Sequence, residues 1–262
     1  GIVLRVVKGL EMLPFIAIAN AIYIGFTGVI TILIYLRFPI STPLIDAQLM
    51  QIDAQLGYSW IAGIDLLSRY PALSDMLRTV YLSSLPQLFA LLVILCVCRM
   101  YARVQQVMLT GVLSLVLTVI IWWIWPSIGP AAYVSVPPQM SDQISLVTDA
   151  RMGAFLMQLV TDGLPVVTPD RIVGTIAFPS YHTVMALLVV WYLRGTIAFW
   201  PAALLNLLMV PAILTHGGHH LLDLIGGAAA FGIAAWLATL IAPGASQASA
   251  TSRLPGRQPG LA

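Results

Sequence analysis

The chain has 262 residues, of which 60% are hydrophobic and only 8% charged, with a formal net charge of +2 and two cysteines. A mean hydropathy of +0.94, carried by repeated uncharged stretches about as long as a bilayer span, excludes a soluble globular core. The composition predicts an all-α, polytopic membrane protein with no nucleic-acid partner. An outer-membrane barrel is disfavoured, because stretches such as residues 85–98 stay apolar on all sides instead of alternating in polarity.

About six apolar stretches approach the roughly 20 residues that cross a bilayer as a helix, so a six-helix transmembrane bundle is expected. The first, residues 13–36, is too long for the apolar region of a cleavable signal peptide and has no small-residue cleavage site before its polar flank, so it is expected to remain as an anchor. Between it and the second stretch, the pentapeptide IDAQL occurs twice, at residues 45–49 and again at 52–56. That spacing is two helical turns. It puts Ile45, Leu49, Ile52 and Leu56 on one stripe and Asp46 and Asp53 on another, as in an amphipathic helix lying at the membrane interface as a lid or strut.

The second stretch, 79–98, ends with Cys96 and Cys98, read as small buried apolar residues. The third, 107–126, closes on Trp122, Trp123 and Trp125, and Trp200 lies near one end of the fifth; all four read as interfacial anchors. A large loop over 126–175 holds Pro137-Pro138 and a potentially helical run over 141–160, and is expected to fold over the active face. The fourth and fifth stretches, 178–193 and 197–215, should form a tight hairpin at Arg194-Gly195, and the sixth covers 219–241. Residues 1–242 thus read as one membrane domain, with its chemistry within 175–230, followed by a Gly-, Ser-, Pro- and Ala-rich tail over 243–262 that is expected to be disordered.

Short-loop Lys and Arg set orientation. Arg5, Lys8, Arg99, Arg103, Arg194, Arg253 and Arg257 place both termini in the cytoplasm, which fits a bacterial inner membrane with the site on the periplasmic side. All four histidines then fall on that outer face, in FPSYHT around His182 and in THGGHHLLD around His216, His219 and His220. Ionisable groups at the ends of apolar spans are costly and usually functional.

His219 and Asp223 are four residues apart, a spacing that stacks them on one helical face. A carboxylate there fixes the imidazole tautomer, leaves the other nitrogen free as nucleophile or base, and stabilises positive charge that grows during attack. His182 supplies a complementary group behind Pro179, whose locked backbone suits a first helical turn. Ser180 either caps that helix or binds an oxyanion with its free N–H groups. Two histidines facing a helix N-terminus describe phosphoryl transfer. Two other readings stay open: a metal site on His216 and His220, against which Gly217-Gly218 argue, and a proton or ion relay in a transporter.

Pro179-Ser180-Tyr181-His182 and His219 to Asp223 followed by Gly226 resemble the second and third signatures of the phosphatidic acid phosphatase type 2 superfamily. The resemblance spans roughly residues 127–241, and the Asp-Ala-Gln-Leu-Gly stretch at 53–57 is similar to the branch that includes inositol phosphorylceramide synthases. It implies a lipid phosphate phosphatase or phosphotransferase, with a phospholipid or prenyl-phosphate substrate and neither metal nor cofactor. His219 would be the nucleophile, Asp223 its orienting partner and His182 the acid for the leaving alcohol. The family's first signature, Lys, six residues, Arg-Pro, is missing, as is the Ser-Arg pair opening the third, where Ile213 stands six residues before His219. Arg78, Arg151 and Arg171 are the candidate substitutes, with His216 a possible second phosphate ligand and His220 a possible headgroup contact. Loss of those arginines is shared with sphingolipid head-group transferases, which tilts the expectation toward transfer over hydrolysis.

Overall fold

The computed structural model describes residues 2–168 and 171–242; the 243–262 tail lies outside them. Among the described residues the chain is all-helical, with eleven α-helices, a short 3-10 turn and no strand. By length and apolarity, residues Ile16–Tyr35 of α1 (Ile2–Tyr35), α6 (Tyr101–Ile124) and α11 (Leu221–Ile241) can each cross a membrane. The bent pair α4 (Pro71–Leu82) and α5 (Ser84–Val97) makes a fourth candidate. Helices α9 (Tyr181–Tyr192) and α10 (Phe199–Thr215) are apolar but shorter, so the six expected helical segments are present while not all have the length of a full span.

The second expected span is broken. Its first residues belong to α4, and α5 leaves at an angle of 51°. Pro86 has no N–H to offer the carbonyl of Leu82, and the hydroxyls of Ser83 and Ser84 donate instead to the carbonyls of Val80 and Tyr81 at 2.6 and 2.8 Å. Side chains thus take over carbonyls that helical bonds would otherwise satisfy, which is a recognised cause of a kink.

Helix α9 is central, packing against α5, α6, α10 and α11. Leu91, Leu95, Val184, Leu188 and Phe231 belong to the core at that junction. Outward-facing apolar residues such as Ile18 and Ile22 on α1 and Trp236 and Leu240 on α11 are more than half exposed, as lipid-facing side chains are.

The polar end is built from short helices. The loop run expected over 141–160 forms two of them, α7 (Pro138–Gln143) and α8 (Ala150–Asp162), with Asp149 capping α8 through the Met152 N–H at 2.8 Å. Leu156 and Leu159 of α8 pack with Tyr35, Ile40, Trp122 and Ile128 over the ends of α1 and α6. Trp122 is therefore core rather than an interfacial anchor: it is fully buried, and its Nε1–H donates to the Ser127 carbonyl at 3.0 Å. Trp123, Trp125 and Trp200 are exposed. Both cysteines are free, but only Cys96 is buried.

The repeat forms α2 (Asp46–Gln55) as expected, but its two acids turn inward beside Leu49. Asp46 and Asp53 are buried, whereas Leu56 just beyond the helix is 62% exposed. The acids turn inward because buried donors await them there, from the Ser127–Gly129 loop and from the turn that leads into α11.

Candidate active site

The turn between α10 and α11 is held from outside. Carbonyls at a helix C-terminus lack intrahelical donors, and here side chains supply them. Tyr58 donates to Leu214, the Trp60 indole N–H to Thr215 and the Thr148 hydroxyl to His216, at 3.1, 3.1 and 2.7 Å. Gly218 takes φ +59°, which reverses the chain and which a residue with a side chain rarely adopts. His219 thus lies before the helix, in the turn, and not on a helical face shared with Asp223.

The contact between them arises by capping. His220 is the N-cap of α11, and Asp223 sits in the first turn with its Oδ2 accepting the His220 backbone N–H at 2.9 Å, half of a capping box. The same Oδ2 lies 2.9 Å from His219 Nδ1. A buried carboxylate therefore holds one nitrogen of His219, while the other, Nε2, has no hydrogen-bond partner among the described residues.

His182 arrives on the first turn of α9. Ser180 caps that helix by accepting the Thr183 N–H, its own N–H donates to the Asp223 carbonyl at 2.9 Å, and Pro179 lies outside the helix. The approach of α9 to α11 is possible because residue 227 is glycine: a Cβ there would run into the Ser180 carbonyl oxygen. The His182 ring stacks on Tyr81 of α4 with centroids 4.3 Å apart and planes at 22°. It meets His219 edge to face at 6.2 Å.

Both rings line a cavity of about 290 Å³, together with Tyr81, Thr148, Gly217, Gly218 and the segment Val173–Ala177. A second cavity, about 330 Å³, shares His182 and Val173–Ile176 with the first and runs between α1, α6 and α9 past Tyr23, Leu115 and Met185. His182 thus stands where the more polar of the two cavities meets the more apolar one.

The remaining expected residues lie elsewhere. Ser180 is fully buried and occupied as a cap. Arg151 pairs with Asp149 at 2.9 Å and lines a separate pocket with Val136 and Asp142. Arg78 is exposed and outside the cavity lining. Arg171 is exposed, two residues before the shared wall, with its carbonyl accepting from the Tyr35 hydroxyl at 3.0 Å. His216 is fully buried, with Nε2 3.0 Å from the Ser74 carbonyl, and does not reach the cavity. Burial pulls its pKa down to about 4, opposed by the Ser74 hydrogen bond and assisted by Arg78. His220 is also fully buried and points to Asp53. The three neighbouring histidines therefore take three different partners and do not form a shared metal face.

Tyr81, Thr148, Asp46 and Asp53 were not singled out from sequence as site residues. For the two acids a signal existed: an apolar chain that repeats an aspartate two turns apart is spending carboxylates it rarely uses.

No curated protein and no solved structure matches the chain. The model of one family, described as the PAP2 superfamily, matches residues 47–237, from α2 into α11 and across both histidine clusters. Membership points to lipid phosphatase-type activity, and since the match takes in most of the chain, the protein belongs to the PAP2 superfamily.

Proposed function

We propose that this protein is an integral-membrane lipid phosphate phosphatase or phosphotransferase that works through a phosphohistidine on His219. The observation that carries the reading is the buried Asp223 carboxylate 2.9 Å from His219 Nδ1, with the ring in a cavity that His182 also lines. Nδ1–H donation to Asp223 leaves the Nε2 lone pair for attack on phosphorus. The N–P bond forms as the P–O bond of the ester breaks, and His182 gives its proton to the departing alkoxide oxygen. An acceptor hydroxyl then returns a proton to His182 as its oxygen attacks phosphorus and the N–P bond breaks. Asp223 stabilises the positive charge on His219 in between.

A transferring phosphoryl group needs cationic or N–H donors. In this proposal they come from the His219 backbone N–H and the N–H groups at the start of α9, since those of Gly217 and Gly218 are taken by Ala212 and Thr215, and from Arg171, the candidate arginine nearest in sequence to the Val173–Ile176 wall that the two cavities share. Arg78, Arg151, Ser180, His216 and His220 drop out as phosphate ligands. The apolar groove meeting the pocket at His182 suits a substrate with its phosphate in one and its hydrocarbon chain in the other, a phospholipid or prenyl phosphate. With six crossings, counting α9 and α10, both termini would share one side, and the short-loop basic residues favour the cytoplasm for them and the outer leaflet of a bacterial inner membrane for the site. The missing phosphatase arginines and the covering loop favour transfer to a lipid or polyol hydroxyl over hydrolysis, in line with the inositol phosphorylceramide synthase-like branch.

The test uses purified protein in liposomes with phosphate-labelled phosphatidic acid, lysophosphatidic acid, prenyl pyrophosphate and phosphatidylinositol, and His219→Ala beside the wild type. Label is expected on acid-labile phosphohistidine and then in a new lipid, with both lost in the variant. Free phosphate lost in the variant would make the protein a phosphatase. Turnover equal in the variant would remove the phosphohistidine, and no turnover of any substrate would leave a non-catalytic transporter or lipid-binding protein.

A further inference from the structure

The two repeat aspartates remain unexplained by that chemistry. His220 Nδ1 lies 2.7 Å from Asp53 Oδ2, and Asp53 Oδ1 accepts the next backbone N–H, that of Leu221, at 3.0 Å. On the other side of the ring, His220 Nε2 is 3.6 Å from Asp46 Oδ1, too long for a hydrogen bond but close for opposite charges. Asp46 is itself fixed by the Ser127 hydroxyl at 2.8 Å and the N–H groups of Ile128 and Gly129 at 3.1 and 2.7 Å. Neither acid lines the catalytic cavity, and nor does His220.

We propose that Asp46 and Asp53 clamp His220 between them as a buried imidazolium, and that this clamp fixes the backbone whose N–H holds Asp223 on His219. All three are then positioning residues for the nucleophile, an inference that rests on the phosphohistidine reading. The physical case has three parts. A neutral imidazole between two buried carboxylates would leave one of them facing a lone pair, whereas an imidazolium offers a proton to each. Asp53 grips His220 by its ring and Leu221 by its backbone, so ring and N-cap move together. Asp223 Oδ2 accepts from both His220 N–H and His219 Nδ1, so displacement of the N-cap displaces the catalytic carboxylate. The repeat spacing is what lets one short helix present both acids to one ring.

The charged and titratable groups facing His220 are Asp46 and Asp53 from α2, Asp223 and His219 from its own turn, and the tyrosines flanking the acids, Tyr58 and Tyr133. Burial lowers the His220 pKa, but the carboxylates of Asp46, Asp223 and Asp53 outweigh it and the net shift is upward. Both tyrosines are pushed up by burial and by the neighbouring aspartates, and stay neutral.

The experiment compares full-length wild type with Asp53→Asn, His220→Gln, His220→Lys, the Asp53→Asn/His220→Gln double variant and His219→Ala in liposomes. It is read by phosphoryl transfer and by 15N spectra of labelled histidines. In wild type one histidine is expected to remain an imidazolium above the ordinary histidine value of about 6.5, and its signal should vanish in His220→Gln. Asp53→Asn and His220→Gln should lower kcat by up to about 100-fold with KM within twofold, as a nucleophile displaced by an ångström would. The double variant should be no worse than the poorer single, and His220→Lys should recover part of the loss by restoring the cation. If His219→Ala abolishes transfer while Asp53→Asn and His220→Gln keep wild-type kcat, the clamp is overturned and the phosphohistidine stands. A neutral His220 in the wild-type spectrum, which needs no variant to fold and no turnover, overturns the clamp by itself. If His219→Ala retains full turnover, the phosphohistidine reading fails and with it the positioning role.

Discussion

The imidazoles of His182 and His219 stand edge to face across one cavity, 6.2 Å between centroids, and neither is hydrogen-bonded to the other. That gap separates two roles: one ring is anchored by a carboxylate and the other by an aromatic face. A ring held by a carboxylate is suited to carrying positive charge, and a ring held only by stacking keeps both of its nitrogens free of hydrogen bonds to the described residues and open to a substrate.

The division gives different expected signatures for the two histidines. His219→Ala should abolish covalent labelling with every substrate. His182→Ala should lower kcat by about 10²- to 10⁴-fold for an alkyl phosphate, the usual value of a general acid. It should lose far less with a nitrophenyl ester, whose leaving group needs no proton. Steady-state rates with the two leaving groups check this; an equal loss for both would take the acid role from His182.

Tyr81 contributes a face and not a hydroxyl, since it stacks on His182 at 4.3 Å. Tyr81→Phe is expected to leave kcat within about twofold, whereas Tyr81→Leu loses a contact of about 0.5–1.5 kcal/mol and with it the fixed ring orientation. A kcat reduction of roughly tenfold in the Leu variant, and little in the Phe variant, is the expected outcome of a rate comparison in liposomes.

Part of the candidate site was legible in sequence because it is local, although His219 and Asp223 meet through a helix cap and not on a shared helical face. His219 and Asp223 are joined within one turn, and Pro179-Ser180 marks the start of the helix that carries His182. What could not be read depends on partners distant in the chain. The repeat in α2 shows that Asp46 and Asp53 share a stripe, but a stripe of acids faces water by default; it is Ser127, 81 residues beyond Asp46, and His220, 167 residues beyond Asp53, that turn it inward. Trp122 reads as an anchor until Phe38 and the Ser127 carbonyl are seen around it. The break before α5 had a local signal, Ser83-Ser84 followed by Pro86, but hydropathy averaged over a span does not register hydroxyls that take over carbonyls. The arginines are candidates only as substitutes for the missing signature cations, and a surface pairing places Arg151 with Asp149.

Arg151 is accordingly expected to be dispensable. Its pairing with Asp149 is on the surface, with the Arg151 side chain 87% exposed, and such contacts contribute little. Arg151→Ala should change kcat/KM less than twofold, whereas Arg171→Ala should raise KM for the lipid phosphate severalfold. Kinetics of the two variants side by side separates the arginine two residues before the shared wall from the one paired with Asp149.

The approach of α9 to α11 can be probed without touching a catalytic group. Gly227→Ala places a methyl against the Ser180 carbonyl, backbone that cannot yield. Overpacking of this kind costs about 1–3 kcal/mol and should move His182 away from His219. Gly232→Ala, on the same helix with open space around its Cβ, should be neutral or stabilising by about 0.4–1 kcal/mol. Thermal unfolding in detergent together with turnover is expected to show loss of both in Gly227→Ala and of neither in Gly232→Ala.

His216 and His220 should pull the acid stability of the fold in opposite directions. Burial holds the His216 pKa at about 4 in the folded chain, below the ordinary value of about 6.5, so the unfolded chain binds a proton that the folded chain refuses. Its contribution is full above about pH 6.5 and is lost as pH falls toward 4, with a slope of at most about 1.4 kcal/mol per pH unit. His220, raised by its carboxylates, has the reverse sign: its stabilisation is fully present below the ordinary histidine value and fades as pH rises through its higher folded pKa. His216→Asn should therefore flatten the decline between pH 6.5 and 4, at some cost in stability at pH 7 from loss of the ring's contact with the Ser74 carbonyl. His220→Gln should weaken the protein most at acid and neutral pH and least on the alkaline side. Midpoints of thermal unfolding from pH 4 to 9 for the two variants check both signs, and a parallel displacement of the two curves from wild type would show that neither histidine titrates across the transition.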